Sequence, residues 1–178
     1  MRMDQNGSIT AHHVVNCFSQ KEIEHVIQEY GEDKLANKIA AAICAARITS
    51  AINSTTELAE IVKTVYSRHS NVQPSTHPAT QTFQALRIFV NNELAELQLG
   101  LHKAFALLSP RGIVSVTTFH SLEETTVKKF IYSYKKLHSK DISATSKSIN
   151  CTIVLPESQE LDENRSARSA KLFVIKRS

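Results

Sequence analysis

An α/β chain in two parts is the fold class this sequence predicts: a small all-helical domain, followed by the later half of an open α/β sheet. Three observations predict it. Residues 1–66 carry helical apolar spacing and capping signals with no strand signal. Residues 67–77 are polar and aperiodic and contain Pro74, the composition of a linker. Residues 113–175 then follow the order strand, helix, strand, strand.

The elements follow in order. Thr10 can cap a short helix running to Phe18. Ser19 and Glu22 form a capping box for a helix with Ile23, Val26, Ile27 and Tyr30 on one face and Gly31 as its stop. From Asp33 the pattern repeats through Leu35, Ile39, Ile43 and Ala46 to Arg47. Ser54 and Glu57 make a second capping box, leading into Leu58, Ile61, Val62 and Val65. Pro78 suits the first turn of the next helix. Apolar residues then recur three or four apart from Phe83 to Leu108, with a break expected at Asn91-Asn92, where Asn competes for its own backbone. Ser109-Pro110-Arg111-Gly112 reads as a turn. Ile113–Phe119 is short and β-branched, the profile of a buried strand. Ser121 and Glu124 form a third capping box, opening a helix with Val127, Phe130, Ile131 and Tyr134. Residues 139–148 are polar and loop-like, and Ile149–Leu155 and Leu172–Ile175 are two further strands. The resulting domains are 1–77, helical with its linker, and 78–178.

Composition narrows the chemistry. The 178 residues are 42% hydrophobic and 21% charged, enough apolar material for a core. There are only four glycines, Gly7, Gly31, Gly100 and Gly112, and no two lie within two positions of each other. That excludes a dinucleotide fingerprint and a Walker A loop, which need clustered glycines for close backbone approach to phosphate. No apolar run reaches about 18 residues, so no membrane-spanning helix is expected. Cys17, Cys44 and Cys151 are odd in number and widely spaced, fitting neither a disulfide framework nor a zinc ligand pair. No targeting segment is visible at the start of the chain.

Charge is uneven. Residues 1–110 hold 9 Lys and Arg against 10 Asp and Glu, whereas residues 111–178 hold 12 against 7. A basic C-terminal third is either a nucleic-acid contact or a solvated face. Arg165, Arg168 and Lys171 fall within seven residues before the last strand, where they can either hold phosphates or decorate a loop.

His120 is placed at the carboxyl end of a strand and the mouth of a helix, where open α/β sheets bind ligands and where free N–H groups and a positive dipole point outward. With Ser121 it either lines a pocket or fills a polar turn. Asn91 and Glu93 are further candidates, since polar groups in an otherwise apolar helical run ask for a reason. His12 and His13 are adjacent, diverge by about 100° on a helix and cannot share a metal. His25, His69, His77, His102 and His138 show no metal-ligand spacing, and no nucleophile elbow is present.

Several blocks together resemble a known family. HPATQTFQALRIFVNNELAELQLGL (77–101), LLSPRGIVSVTTFHSLEETTVKKF (107–130) and ENRSARSAKL (163–172) are each similar to the RsmH/MraW methyltransferases, as are MRMDQ and YGEDKLANKIAAAI (30–43). The blocks stand in family order over nearly the whole chain. The resemblance implies a Rossmann-like methyltransferase sheet with an inserted helical, substrate-recognition domain. It implies transfer of a methyl group from S-adenosyl-L-methionine to the exocyclic N4 of a cytosine in small-subunit ribosomal RNA. His120, Ser121, Asn91 and Glu93 are then expected near the target base, and Arg165, Arg168 and Lys171 on RNA. Family members carry a Gly-rich cofactor loop and ribose-binding acidic residues ahead of the segment that MRMD resembles. No such loop is found here, so the expectation is an N-terminally shortened form without cofactor-binding residues. The alternative is a non-catalytic RNA-binding or interaction chain. Gln81, Asn92, Arg111 and Glu124-Thr125 depart from the usual family residues. The low Gly content and Ser/Lys-rich 139–148 resemble mitochondrial members, giving the mitochondrial matrix as the expected compartment, with the cytoplasm as the alternative.

Overall fold

The computed structural model describes residues 1–4, 7–69, 76–138 and 149–177. It is mostly helical with one small sheet, a partial α/β methyltransferase fold with a helical domain. Compactness divides it into Met1–Glu93 and Leu94–Ser178. The division falls beyond residue 77 because the helix that follows the linker packs on the helical domain's own elements. Residues 70–75 of the expected linker, and the expected loop 139–148, lie outside the described residues.

The first unit contains α1 (Ala11–Cys17), α2 (Gln20–Gly31), α3 (Ala36–Thr49), α4 (Thr55–His69) and α5 (Thr80–Asn91). Thr10 caps α1 through the His13 N–H. Both capping boxes form as expected: Ser19 Oγ accepts from the Glu22 N–H at 3.3 Å, and Ser54 Oγ from the Glu57 N–H at 3.1 Å. The reciprocal carboxylates accept from the Ser19 and Ser54 N–H groups. Apolar faces from all five helices meet in one core, with Val14, Ile23, Ile27, Ile39, Val62 and Leu86 buried. Asp33 is buried at the turn between α2 and α3, where it accepts from the Leu35 N–H at 2.8 Å and from the Tyr66 hydroxyl at 2.9 Å. Those bonds satisfy a buried carboxylate and tie α4 to the turn.

Gly31 is not the stop of α2. Glu32 takes the left-handed cap conformation, at φ 52°, and Gly31 is the last helical residue. Its reason lies across the interface: a Cβ there would stand 2.8 Å from the Gln81 carbonyl oxygen of α5. The glycine permits the close α2–α5 approach. The break at Asn91-Asn92 is observed, with Asn92 left-handed at φ 51°.

The second unit is formed by α6 (Glu93–Leu107, from Leu94 onward), β1 (Ile113–Thr118), α7 (Ser121–His138), β2 (Ile149–Val154), α8 (Ser158–Glu163), a 3-10 turn at Arg165–Ser169 and β3 (Lys171–Arg177). The strands lie in the order β1-β3-β2 with both pairings antiparallel. Val114 pairs with Ile175 and Val116 with Phe173, so one sheet face carries the apolar set that packs with Leu101, Phe105, Val127 and Phe130. The β1 profile is not that of a buried strand. Burial alternates along it, and only Thr118 is buried, because β1 is an edge with its apolar alternate residues on one face. Ile113, on the other face, is 54% exposed. Among the described residues no helix is long and apolar enough to cross a membrane.

Candidate functional site at the carboxyl end of the first strand

β1 ends at Thr118, and the chain passes through Phe119 and His120 into α7. The capping box expected of Ser121 and Glu124 is instead made one residue earlier, by His120 and Glu123. His120 Nδ1 accepts from the Glu123 N–H at 3.4 Å. Glu123 Oε2 accepts from the Phe119 N–H at 2.7 Å and the His120 N–H at 3.3 Å. The Glu124 N–H reaches the His120 carbonyl, which makes His120 the residue at the helix mouth. An imidazole nitrogen does here what a Ser or Asp oxygen usually does. The other ring nitrogen, Nε2, lies 3.4 Å from Glu123 Oε1. Glu123 thus stands against both edges of the His120 ring, with its backbone N–H on Nδ1 and its carboxylate beside Nε2.

Glu124, freed from capping, pairs twice. Its carboxylate meets Lys128 one turn along α7 at 2.5 Å and Lys171 at 2.6 Å. Hydrogen bonds from Lys128 and then Lys171 hold its pKa below the usual carboxylate value. Lys171 opens β3 directly opposite Thr118, whose Oγ1 donates to the Lys171 carbonyl at 3.4 Å. The FHSLE and RSAKL segments, 47 residues apart at this pair, are therefore one structural site.

The expected RNA cations separate into two kinds. Arg165 and Arg168 are exposed on the 3-10 turn and form no ion pair with another described residue. Lys171 is half-buried and its charge is committed to Glu124. The acceptor-side candidates separate as well. His120 and Ser121 sit together at the helix mouth, with Ser121 exposed.

Asn91 and Glu93 lie in the first unit and have structural partners. Asn91 Oδ1 accepts from the Met3 N–H at 2.7 Å, and its Nδ2 donates to the Arg87 carbonyl at 2.8 Å. Glu93 pairs with Arg87 Nε at 2.9 Å across the left-handed turn at Asn92. These bonds give both polar residues local partners in the first unit.

Two groups escaped the sequence reading. Glu123 is the residue that holds His120, and its signal is the i, i+3 spacing read from His120 instead of Ser121. Phe119 is 54% exposed at the strand's end, where an alternating pattern extended by one residue places it outward. Among the described residues no group of His, Cys, Asp and Glu could hold a metal ion.

Comparison with known proteins adds the family. The MraW methylase family profile matches residues 1–178. The ribosomal RNA small subunit methyltransferase H of Persephonella marina is 45% identical over 180 residues, an alignment covering 99% of this chain and 58% of the relative. Proteins of the same name from a Sulfurihydrogenibium species and from Ehrlichia canis are 43% and 44% identical, with 58% and 59% of their length covered. The chain thus spans less than two thirds of the length of the relatives it matches.

Proposed function

The chain belongs to the MraW methylase family, and on that premise we propose that it supplies the RNA-facing part of a small-subunit rRNA (cytosine-N4) methyltransferase. The observation that carries this reading is the union of His120, Glu123, Glu124 and Lys171 at the carboxyl end of β1, where α/β sheets take ligands. A cytosine amine is a poor nucleophile and its base must leave the stack to react. The protein's task on this side is to place that amine and exclude wrong orientations. The exposed Ser121 hydroxyl is the group proposed to meet the base. His120 acts as a positioning residue: its ring is fixed by Glu123, which sets the direction in which Ser121 projects. Arg165 and Arg168 hold RNA phosphates, and the helical unit contributes substrate recognition. The mitochondrial matrix remains the proposed compartment.

S-adenosyl-L-methionine is the methyl donor proposed from the family, and among the described residues no set fits a cradle for it. None of the four glycines adopts a positive φ, and none has a neighbouring glycine to open a turn. At the end of β1, Glu123 and Glu124 are engaged by N–H groups and lysines, leaving neither to take ribose hydroxyls. We therefore assign cofactor binding to none of the described residues, and the chain alone to RNA binding without catalysis.

The test is a chimera joining this chain to the part of the Persephonella marina relative that it does not match. Transfer of labelled methyl to small-subunit rRNA is expected from the chimera and not from the 178-residue chain. An inactive, folded chimera that binds both cofactor and RNA would refute the reading.

A further inference from the structure

The helical unit has its own closed core, and a cavity of about 470 Å³ opens between α3 and α4 on its surface. The cavity arises because α3 presents small side chains, Ala42 and Ala45, opposite Ile61 of α4. One end is basic: Lys38, Arg68 and His69 line it, and Lys38 Nζ donates to His69 Nδ1 at 3.1 Å. Glu60 stands among the lining residues too, but its carboxylate is paired with Lys63 at 3.3 Å. This is a local excess of positive charge in a unit that carries slightly more acidic than basic residues. The volume is that of a small-ligand pocket, and it joins an apolar floor to a cationic rim.

We propose that this groove takes one unstacked nucleotide of a single-stranded RNA segment. The phosphate sits on Lys38, Arg68 and His69, and the base lies against Ala42, Ala45 and Ile61. The Lys38–His69 bond holds two of the donors side by side before RNA arrives, which lowers the ordering cost of binding. Sequence-tolerant single-strand sites join a positively charged groove to a surface on which bases lie, usually aromatic; here that surface is aliphatic, so burial of the base face takes the place of stacking. The proposal rests on the reading that this chain acts on RNA, but it places a contact that the β1–α7 site does not supply.

The test is binding of fluorescently labelled single-stranded RNA to the full 178-residue chain over a range of salt. Lys38→Gln combined with Arg68→Gln is expected to weaken binding about tenfold and to reduce the log–log salt slope by about 0.7, one single-strand phosphate contact. The control pair Lys21→Gln with Lys129→Gln, exposed cations elsewhere, removes the same charge and should cost clearly less. Photocrosslinks from 4-thiouridine should map to α3 and α4. An unchanged slope, an equal loss in the control pair, crosslinks confined elsewhere, or equal binding to a polyglutamate peptide would each overturn the groove. Loss of affinity only in Arg165→Gln with Arg168→Gln rejects the groove while keeping the RNA reading. No RNA binding by the unmodified chain overturns both.

Discussion

Glu124 accepts from Lys171 at 2.6 Å, and through that pair the first turn of α7 is fastened to the first residue of β3. The pair shapes the edge of the proposed site, because Lys171 also lies opposite Thr118, the last residue of β1. It has a pH signature. Hydrogen bonds from Lys128 and Lys171 lower the Glu124 pKa in the folded chain. A depressed folded pKa stabilises the fold above the unfolded value, 4.5, and that contribution is lost as pH falls through the folded value. Glu22 and Glu57, lowered by hydrogen bonds from Ser19 and Asn53 respectively, act with the same sign. Thermal melts taken from neutral pH downward should show stability falling below the usual carboxylate range. Glu124→Gln should be less stable than the parent at neutral pH, with the difference shrinking in acid. A difference that grows in acid contradicts the pairing.

Glu123 should matter more to α7 than Ser121 does. Glu123→Ala removes the acceptor for two N–H groups at the helix mouth, with an expected cost of about 1 kcal/mol in urea unfolding. Ser121→Ala should cost a few tenths at most, because Ser121 is not the cap. The reverse order would restore the capping box to Ser121 and Glu124.

Gly31→Ala is expected to destabilise the helical unit by about 1–3 kcal/mol, since the new methyl meets backbone that cannot move without shifting α5. Gly100→Ala is the matched control. It lies within α6 with nothing within 4 Å of the added carbon, so a gain of about 0.5–1 kcal/mol is expected. Equal effects in chemical denaturation would remove the packing explanation.

The two kinds of RNA cation should separate in salt titrations. Arg165→Gln and Arg168→Gln should each lower the log–log slope by about 0.7, as single-strand phosphate contacts do. Lys171→Gln should change it less, because its charge is already met by Glu124. A Lys171 effect as large as that of the arginines would mean that RNA displaces Glu124.

What the sequence disclosed was local. Ser19 with Glu22 and Ser54 with Glu57 form the boxes their spacing predicts, because a capping box involves only four consecutive residues. His120 broke the same rule by capping with an imidazole, which moved the box one residue and released Glu124 to reach Lys171. Polarity alone singles out Asn91 and Glu93. Their partners, Met3 and Arg87, are reached through the chain's course and the left-handed turn at Asn92, neither of which periodicity reveals. The groove of Lys38, Arg68 and His69 was illegible for the same reason, since its cations come from two helices.

The described residues are proposed to face RNA and to hold no cradle for the methyl donor. Calorimetric titration of S-adenosyl-L-methionine into the folded chain is the decisive experiment, with the chimera as positive control. Saturable binding to the chimera, and none to the chain in the micromolar range, is expected. Saturable micromolar binding to the chain itself, or labelled methyl transfer by it, would overturn that assignment and place the cofactor among the residues proposed to face RNA.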